Sequence, residues 1–191
     1  PAEAREFGSA LEILIASYDD VFSPPRRVIE ALEAAVARLA MTSMPAVLQH
    51  GDLGIWNILA GERTPPLGIL DWENADHSGI PLWDLFVFAR TFGIFMADSA
   101  GVRYGPSVFT KQLLEPGPLH SALVAGTARY CSALGISEEV VTDLFSLCWV
   151  QQAIREAATM PRPSWDSGRN NRYLEASLAQ PFRLEAKYPE S

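Results

Sequence analysis

Apolar residues recur at helical spacing through the first forty positions of the chain. Phe7, Leu11, Leu14, Ile15 and Tyr18 fall three and four apart, which predicts a helix over residues 2–21 with Gly8 as its weak point. Ser23 before Pro24 and Pro25 reads as an N-cap with proline in the first turn, and Val28, Ile29, Leu32, Val36 and Leu39 mark one face of a second helix. At Pro45 the pattern changes. Short β-type runs at residues 47–50, 57–59 and 67–70 are separated by a glycine-bearing loop and by Gly61-Glu62-Arg63-Thr64-Pro65-Pro66, and the last two runs read as a small hairpin. Helical spacing returns after Pro81, over residues 83–97, a short piece near 108–114, and residues 119–134. Ser137-Glu138-Glu139 then caps a long helix running to about Met160, with Leu144, Cys148 and Ile154 facing inward, and residues 170–179 form a last helix. The fold class expected is mainly α with a small β-hairpin insert, an α+β chain.

With 191 residues, the chain is sized for one core, and 48% hydrophobic against 20% charged residues is the balance of a folded protein. Fifteen Lys plus Arg against 23 Asp plus Glu give a net charge of −8, with Lys111 and Lys187 the only lysines. That balance argues against nucleic acid or an anionic membrane as partner, since both want a basic patch. The richest apolar stretch, residues 83–97, is interrupted by Asp84 and Arg90 and falls short of the ~20 residues of a membrane span. The N-terminus lacks the basic-then-apolar form of a signal peptide, so a cytoplasmic location is expected; the missing initiating Met suggests a processed or excised chain. Cys131 and Cys148 have no second pair or His cluster beside them and read as buried free thiols.

The chemistry is concentrated in His50-Gly51-Asp52-Leu53-Gly54-Ile55-Trp56-Asn57-Ile58-Leu59 and the following Gly68-Ile69-Leu70-Asp71-Trp72-Glu73. An Asp, an Asn five residues later and an Asp at the end of the hairpin's second strand set three oxygen-bearing side chains around one point. Such a set suits phosphoryl transfer: one carboxylate accepts the proton of an attacking hydroxyl, while the amide oxygen and the other carboxylate are hard ligands for Mg²⁺. In the pattern H-x-D-x-x-x-x-N, hairpin, D, the loop Asp is the base, the Asn a metal ligand and the later Asp the principal metal ligand, which assigns Asp52, Asn57 and Asp71. At average residue usage the set arises by chance about once in ten thousand histidines. The apolar run 67–70 ahead of Asp71 reads as a buried strand leading into the site.

These residues, together with Gly79-Ile80-Pro81-Leu82-Trp83-Asp84-Leu85, resemble the aminoglycoside phosphotransferase and choline kinase group of kinase-like small-molecule phosphotransferases, in that family's order and spacing. The resemblance implies a protein-kinase-like C-terminal lobe: leading helices at 1–44, catalytic loop, hairpin and metal motif at 45–85, and a helical substrate-side subdomain at 86–191. It implies Asp52 as catalytic base, Asn57 and Asp71 as metal ligands, Asp84 as a brace for the loop, and ATP with Mg²⁺ as co-substrate and cofactor. His50 is expected to anchor the loop, since a carboxylate already takes the proton. Glu73, two residues after Asp71, is placed to touch a second Mg²⁺ or the substrate. Gly51 offers no charge to an activation-loop phosphate, and the short segment between Asp71 and Asp84 has no room for a peptide platform, so a small hydroxylated substrate is favoured over a protein.

No glycine-rich cover or strand lysine precedes His50, so a nucleotide-clamping N-terminal lobe is expected in cis or in trans, and the 191-residue chain alone is expected to be inactive or weakly active. The alternative reading is a non-catalytic lone kinase-like lobe that binds a small molecule or a protein. The acceptor stays open among an aminoglycoside, another sugar and an amino-alcohol such as choline. Glu73, Asp143, Glu156 and Asp166 would suit a cationic acceptor, though caps and solvated faces are their commoner use, and Trp149 and Trp165 would stack a sugar or pack the core.

Overall fold

The computed structural model describes residues 2–61, 67–159 and 168–184. Two helices lead, α1 (Ala2–Phe22) and α2 (Arg26–Ala40), followed by strands β1 (Val47–Gln49), β2 (Ile58–Ala60), β3 (Leu67–Ile69) and β4 (Asp76–Gly79). Helices α3 (Trp83–Ser99), α4 (Pro106–Phe109), α5 (Pro118–Leu134), α6 (Val141–Thr159) and α7 (Arg169–Ala179) complete the described chain. The protein is mostly helical with small antiparallel strand pairs, and among the described residues no helix is long and apolar enough to cross a membrane.

Helix α6 is the hub. Val141 and every residue from Asp143 to Val150 are buried, so this helix packs on all sides against α1, α2, α3 and α7. The amphipathic stripe Ile29, Leu32, Val36 and Leu39 of α2 is buried as its spacing predicts, and Phe7, Leu11, Ile15 and Tyr18 of α1 are buried too. An aromatic cluster fills the centre: Phe109 stacks on Tyr173 at 4.5 Å, Phe145 stacks on Phe182 at 4.8 Å, and Trp149 meets both Phe109 and Phe145 edge-on. Trp149 is therefore core, and Trp165 lies outside the described residues. Cys131 and Cys148 are free and buried.

Several expectations are corrected. Ser23 does not cap α2: its φ of 44° and the bond from its N–H to the Asp19 carbonyl at 2.8 Å make it the left-handed stop of α1, while Pro25 takes the N-cap position with no side-chain bond. The capping at Ser137 is present, with its Oγ accepting the Glu139 N–H at 3.3 Å, but a 3₁₀ turn at Glu138–Val140 precedes α6. The short piece expected near 108–114 starts earlier, as α4 at Pro106–Phe109, and continues as a π turn at Thr110–Leu114. Met160, the expected end of the long helix, and the hairpin tip at 62–66 lie outside the described residues. The hairpin itself forms in the register Ile58 to Ile69 and Ala60 to Leu67. A second pair, β1 with β4, is added, because Asp76-His77-Ser78-Gly79 has no apolar alternation to announce a strand. The run 67–70 is not buried: Leu67 is 58%, Ile69 41% and Leu70 46% exposed, since no described element packs over that face.

Candidate active site

The loop after β1 is held by its backbone. Asp84, in the first turn of α3, accepts the His50 N–H on Oδ2 at 2.5 Å and the Gly51 N–H on Oδ1 at 3.0 Å, two charge-assisted bonds that fix the loop to that helix. Arg155 of α6 donates from Nη1 to the Gly51 carbonyl. Gly51 sits at φ +83°, and a Cβ there would stand 2.4 Å from the Asn74 carbonyl oxygen, so both the backbone conformation and the close approach require glycine.

Asp52 follows, with every backbone group engaged. Its N–H donates to Nδ1 of His50 at 3.3 Å, and its carbonyl accepts from the Gly54 N–H at 2.8 Å and from Asn57 Nδ2 at 2.8 Å. Its half-buried carboxylate, in contrast, accepts no hydrogen bond and forms no ion pair among the described residues. Farther along, the Ile55 N–H donates to Oγ1 of the buried Thr91 on α3, at 3.1 Å, a second tie between loop and helix.

Asn57 is buried and spends its amide nitrogen on Asp52, which leaves its oxygen as the end free for a ligand. The Asn57 carbonyl accepts the Leu70 N–H at 2.9 Å, and the Leu70 carbonyl accepts from His50 Nε2 at 2.7 Å. Both backbone groups of Leu70 are thus fixed immediately before Asp71. Because His50 accepts at Nδ1, its proton is on Nε2, so one neutral tautomer satisfies both bonds. Asp71 adopts φ 63°, ψ 60°, a left-handed conformation that Asp tolerates better than most residues and that costs backbone energy. It turns the chain from β3 into the 3₁₀ turn Trp72–Asn74, whose Trp72 ring lies 4.7 Å from that of His50.

Hydrogen bonds therefore link His50, Asp52, Asn57 and the residue preceding Asp71 into one unit, with Asp84 outside it as the clamp. Glu73 stands exposed in the 3₁₀ turn, with no bond to that unit. Arg155, Thr91 and Gln49, which accepts the Ile80 N–H at 3.0 Å, escaped the sequence reading; for Arg155 and Thr91 the partner lies 104 and 36 residues away, beyond any local pattern. Two acidic candidates are committed elsewhere. Asp143 makes a bidentate pair with Arg38 at 2.7 and 2.8 Å, and Glu156 accepts the Asn170 N–H at 2.8 Å and pairs with Arg169 at 3.5 Å. Asp166 lies outside the described residues.

Among the described residues no three His, Cys, Asp or Glu side chains gather as a metal site. A family model described as the phosphotransferase enzyme family matches residues 3–111, which hold His50, Asp52, Asn57, Asp71, Asp84 and Thr91 but not Arg155. No curated protein and no solved structure matches the chain.

Proposed function

The chain belongs to the phosphotransferase enzyme family, and from that premise we propose that it transfers the γ-phosphoryl group of ATP to a hydroxyl of a small molecule. The observation that carries this reading is Asp52: its backbone is bonded at both ends while its carboxylate has no partner among the described residues. A carboxylate so held is ready to orient an acceptor hydroxyl and take its proton. The acceptor oxygen then bonds to the γ-phosphorus, the bond from that phosphorus to the β,γ-bridging oxygen breaks, and ADP leaves with the electron pair. Asn57 and Asp71 would hold Mg²⁺, the former with the amide oxygen left free and the latter with a carboxylate that no described residue engages. The ion, when bound, neutralises charge on the phosphate oxygens. His50, Asp84 and Arg155 act on the backbone that positions Asp52 and Asp71. Glu73, exposed two residues beyond Asp71, is available to a second ion or to the acceptor.

The order of β1, loop, hairpin, left-handed Asp and α3 supports reading the chain as a protein-kinase-like C-terminal lobe. Leu59, Leu67, Ile69 and Leu70 on the hairpin are all exposed apolar residues, which supports a nucleotide-clamping lobe in cis or trans that covers them. The test follows ³¹P NMR of the protein that carries this chain with Mg·ATP and a set of small alcohols. ADP and a phosphomonoester in equal amounts are expected. ATP bound without any phosphomonoester would favour the alternative of a non-catalytic binding lobe.

A further inference from the structure

Three arginines meet in one cleft of an acidic protein. A cavity of about 640 Å³ opens between the C-terminal half of α3, the loop before α4 and the first turn of α7, lined by Ile94, Asp98, Arg103, Tyr104, Arg169 and Arg172 among others. Asp98 is the only carboxylate among its lining residues. Arg169 pairs with Glu156, but Arg103 and Arg172 form no ion pair among the described residues. Arg169 and Arg172 also occupy the first turn of α7, where the helix dipole already presents positive charge, so the arrangement repels itself until an anion enters.

A second observation comes from the layer behind the cleft. Arg90 of α3, one turn before Ile94, is largely buried, and its Nε has no hydrogen-bond partner. The groups acting on it are Tyr173, Tyr104, Cys148 and Arg169, none of them a carboxylate, and burial pulls its guanidinium down from the ordinary arginine range. Tyr104 Oη, from the cleft wall, is likewise buried without a partner. A largely buried cation with no ion pair is costly, and an anion beside Tyr104 and Arg169, which both act on Arg90, would offset that cost.

Two elements that line the cleft are tied to the loop that bears Asp52. Thr91, next to Arg90, holds the Ile55 N–H, and Arg155, which holds the Gly51 carbonyl, is followed by Glu156, which holds Arg169 and the Asn170 N–H. Helix α3 thus reaches the loop directly, and α7 reaches it through α6.

We infer that the cleft receives the anionic end of the acceptor, a small hydroxyl compound bearing a carboxylate or a phosphate, rather than a polycationic aminoglycoside. This inference rests on the phosphotransferase reading above for the word acceptor. Fork-shaped guanidinium groups suit either oxyanion, and their number exceeds the local carboxylate. The committed state of Asp143 and Glu156 removes two of the four acidic residues that would have served a cationic acceptor.

The experiment measures equilibrium binding of glucose, gluconate, glucose 6-phosphate and an aminoglycoside to the protein carrying this chain, beside Arg103→Gln/Arg172→Gln. Both arginines are exposed, so the double variant keeps the fold. One of the two anions is expected to bind at least tenfold more tightly than glucose, the better one naming carboxylate or phosphate, and to lose at least tenfold in the double variant. Tighter binding of glucose or the aminoglycoside, or anion affinity unchanged in the double variant, overturns the inference. Affinity is read apart from turnover, so a failure of the phosphotransfer reading appears instead as arginine-dependent anion binding with no phosphomonoester, which removes the acceptor role from the cleft.

Discussion

The imidazole Nε2 of His50 donates to the Leu70 carbonyl at 2.7 Å, joining the end of β1 to the residue that precedes Asp71. The same ring accepts the Asp52 N–H on Nδ1 at 3.3 Å. One neutral side chain therefore sets the relative position of the two carboxylates on which the proposed chemistry depends. With Nδ1 accepting and Nε2 donating, the ring serves as a fixed spacer.

His50→Ala leaves the Leu70 carbonyl and the Asp52 N–H without their partner, at a cost of about 1–3 kcal/mol for the two bonds together. A fall of several degrees in the unfolding midpoint is expected by circular dichroism, at about 2–4 °C per kcal/mol for a chain of this size. An unchanged midpoint would mean that the two bonds carry no net stability.

Gly51→Ala combines a positive φ with a Cβ 2.4 Å from the Asn74 carbonyl oxygen. Backbone of the loop or of the turn has to shift, and a destabilisation of more than about 1 kcal/mol is expected, with a larger proportional loss of activity because Asp52 is the next residue. Urea titration and turnover measured on the same preparation check both parts.

Asp143 is almost wholly buried and fixed by the bidentate Arg38 pair, so Asp143→Asn is expected to lower stability and to leave the acceptor KM unchanged. The Arg38 guanidinium beside it is held above its ordinary range chiefly by that hydrogen bond. A raised acceptor KM at unchanged kcat would instead make Asp143 a substrate contact.

Both thiols are buried, and burial pushes each above its ordinary value, farthest for Cys148. At pH 8 they stay protonated and unreactive. A disulfide-exchange reagent is expected to titrate neither thiol in the folded protein and both after denaturation, and stoichiometric reaction with the folded protein would contradict this burial.

Helices α1, α2, α3 and α5 are legible in the sequence because apolar residues recur at helical spacing, and α6 because Ser137-Glu138-Glu139 announces its start. The hairpin is legible because β-type runs flank a Gly/Pro-rich stretch. His50, Asp52, Asn57 and Asp71 are legible because their spacing is a local property, and the hydrogen bonds at Leu70 and Asn57 link the first three to the residue that precedes Asp71. Strand β4 escapes because its residues are polar and it pairs on only one side, at β1. The burial expected for residues 67–70 fails because apolar character reports a need for cover, not the presence of it. Arg155 and the arginine cleft join residues that no local pattern connects, so only the tertiary packing of α3, α6 and α7 brings them to light.

The most direct measurement is ATP-dependent phosphoryl transfer by the protein that carries this chain, compared with its Asp52→Asn variant under saturating acceptor. The account predicts a fall in kcat of about 10²–10⁴-fold with nucleotide affinity little changed, the loss of a general base that acts at the reacting oxygen. A kcat within about a factor of two of the unmodified protein would place the proton acceptor elsewhere and contradict the role given to Asp52.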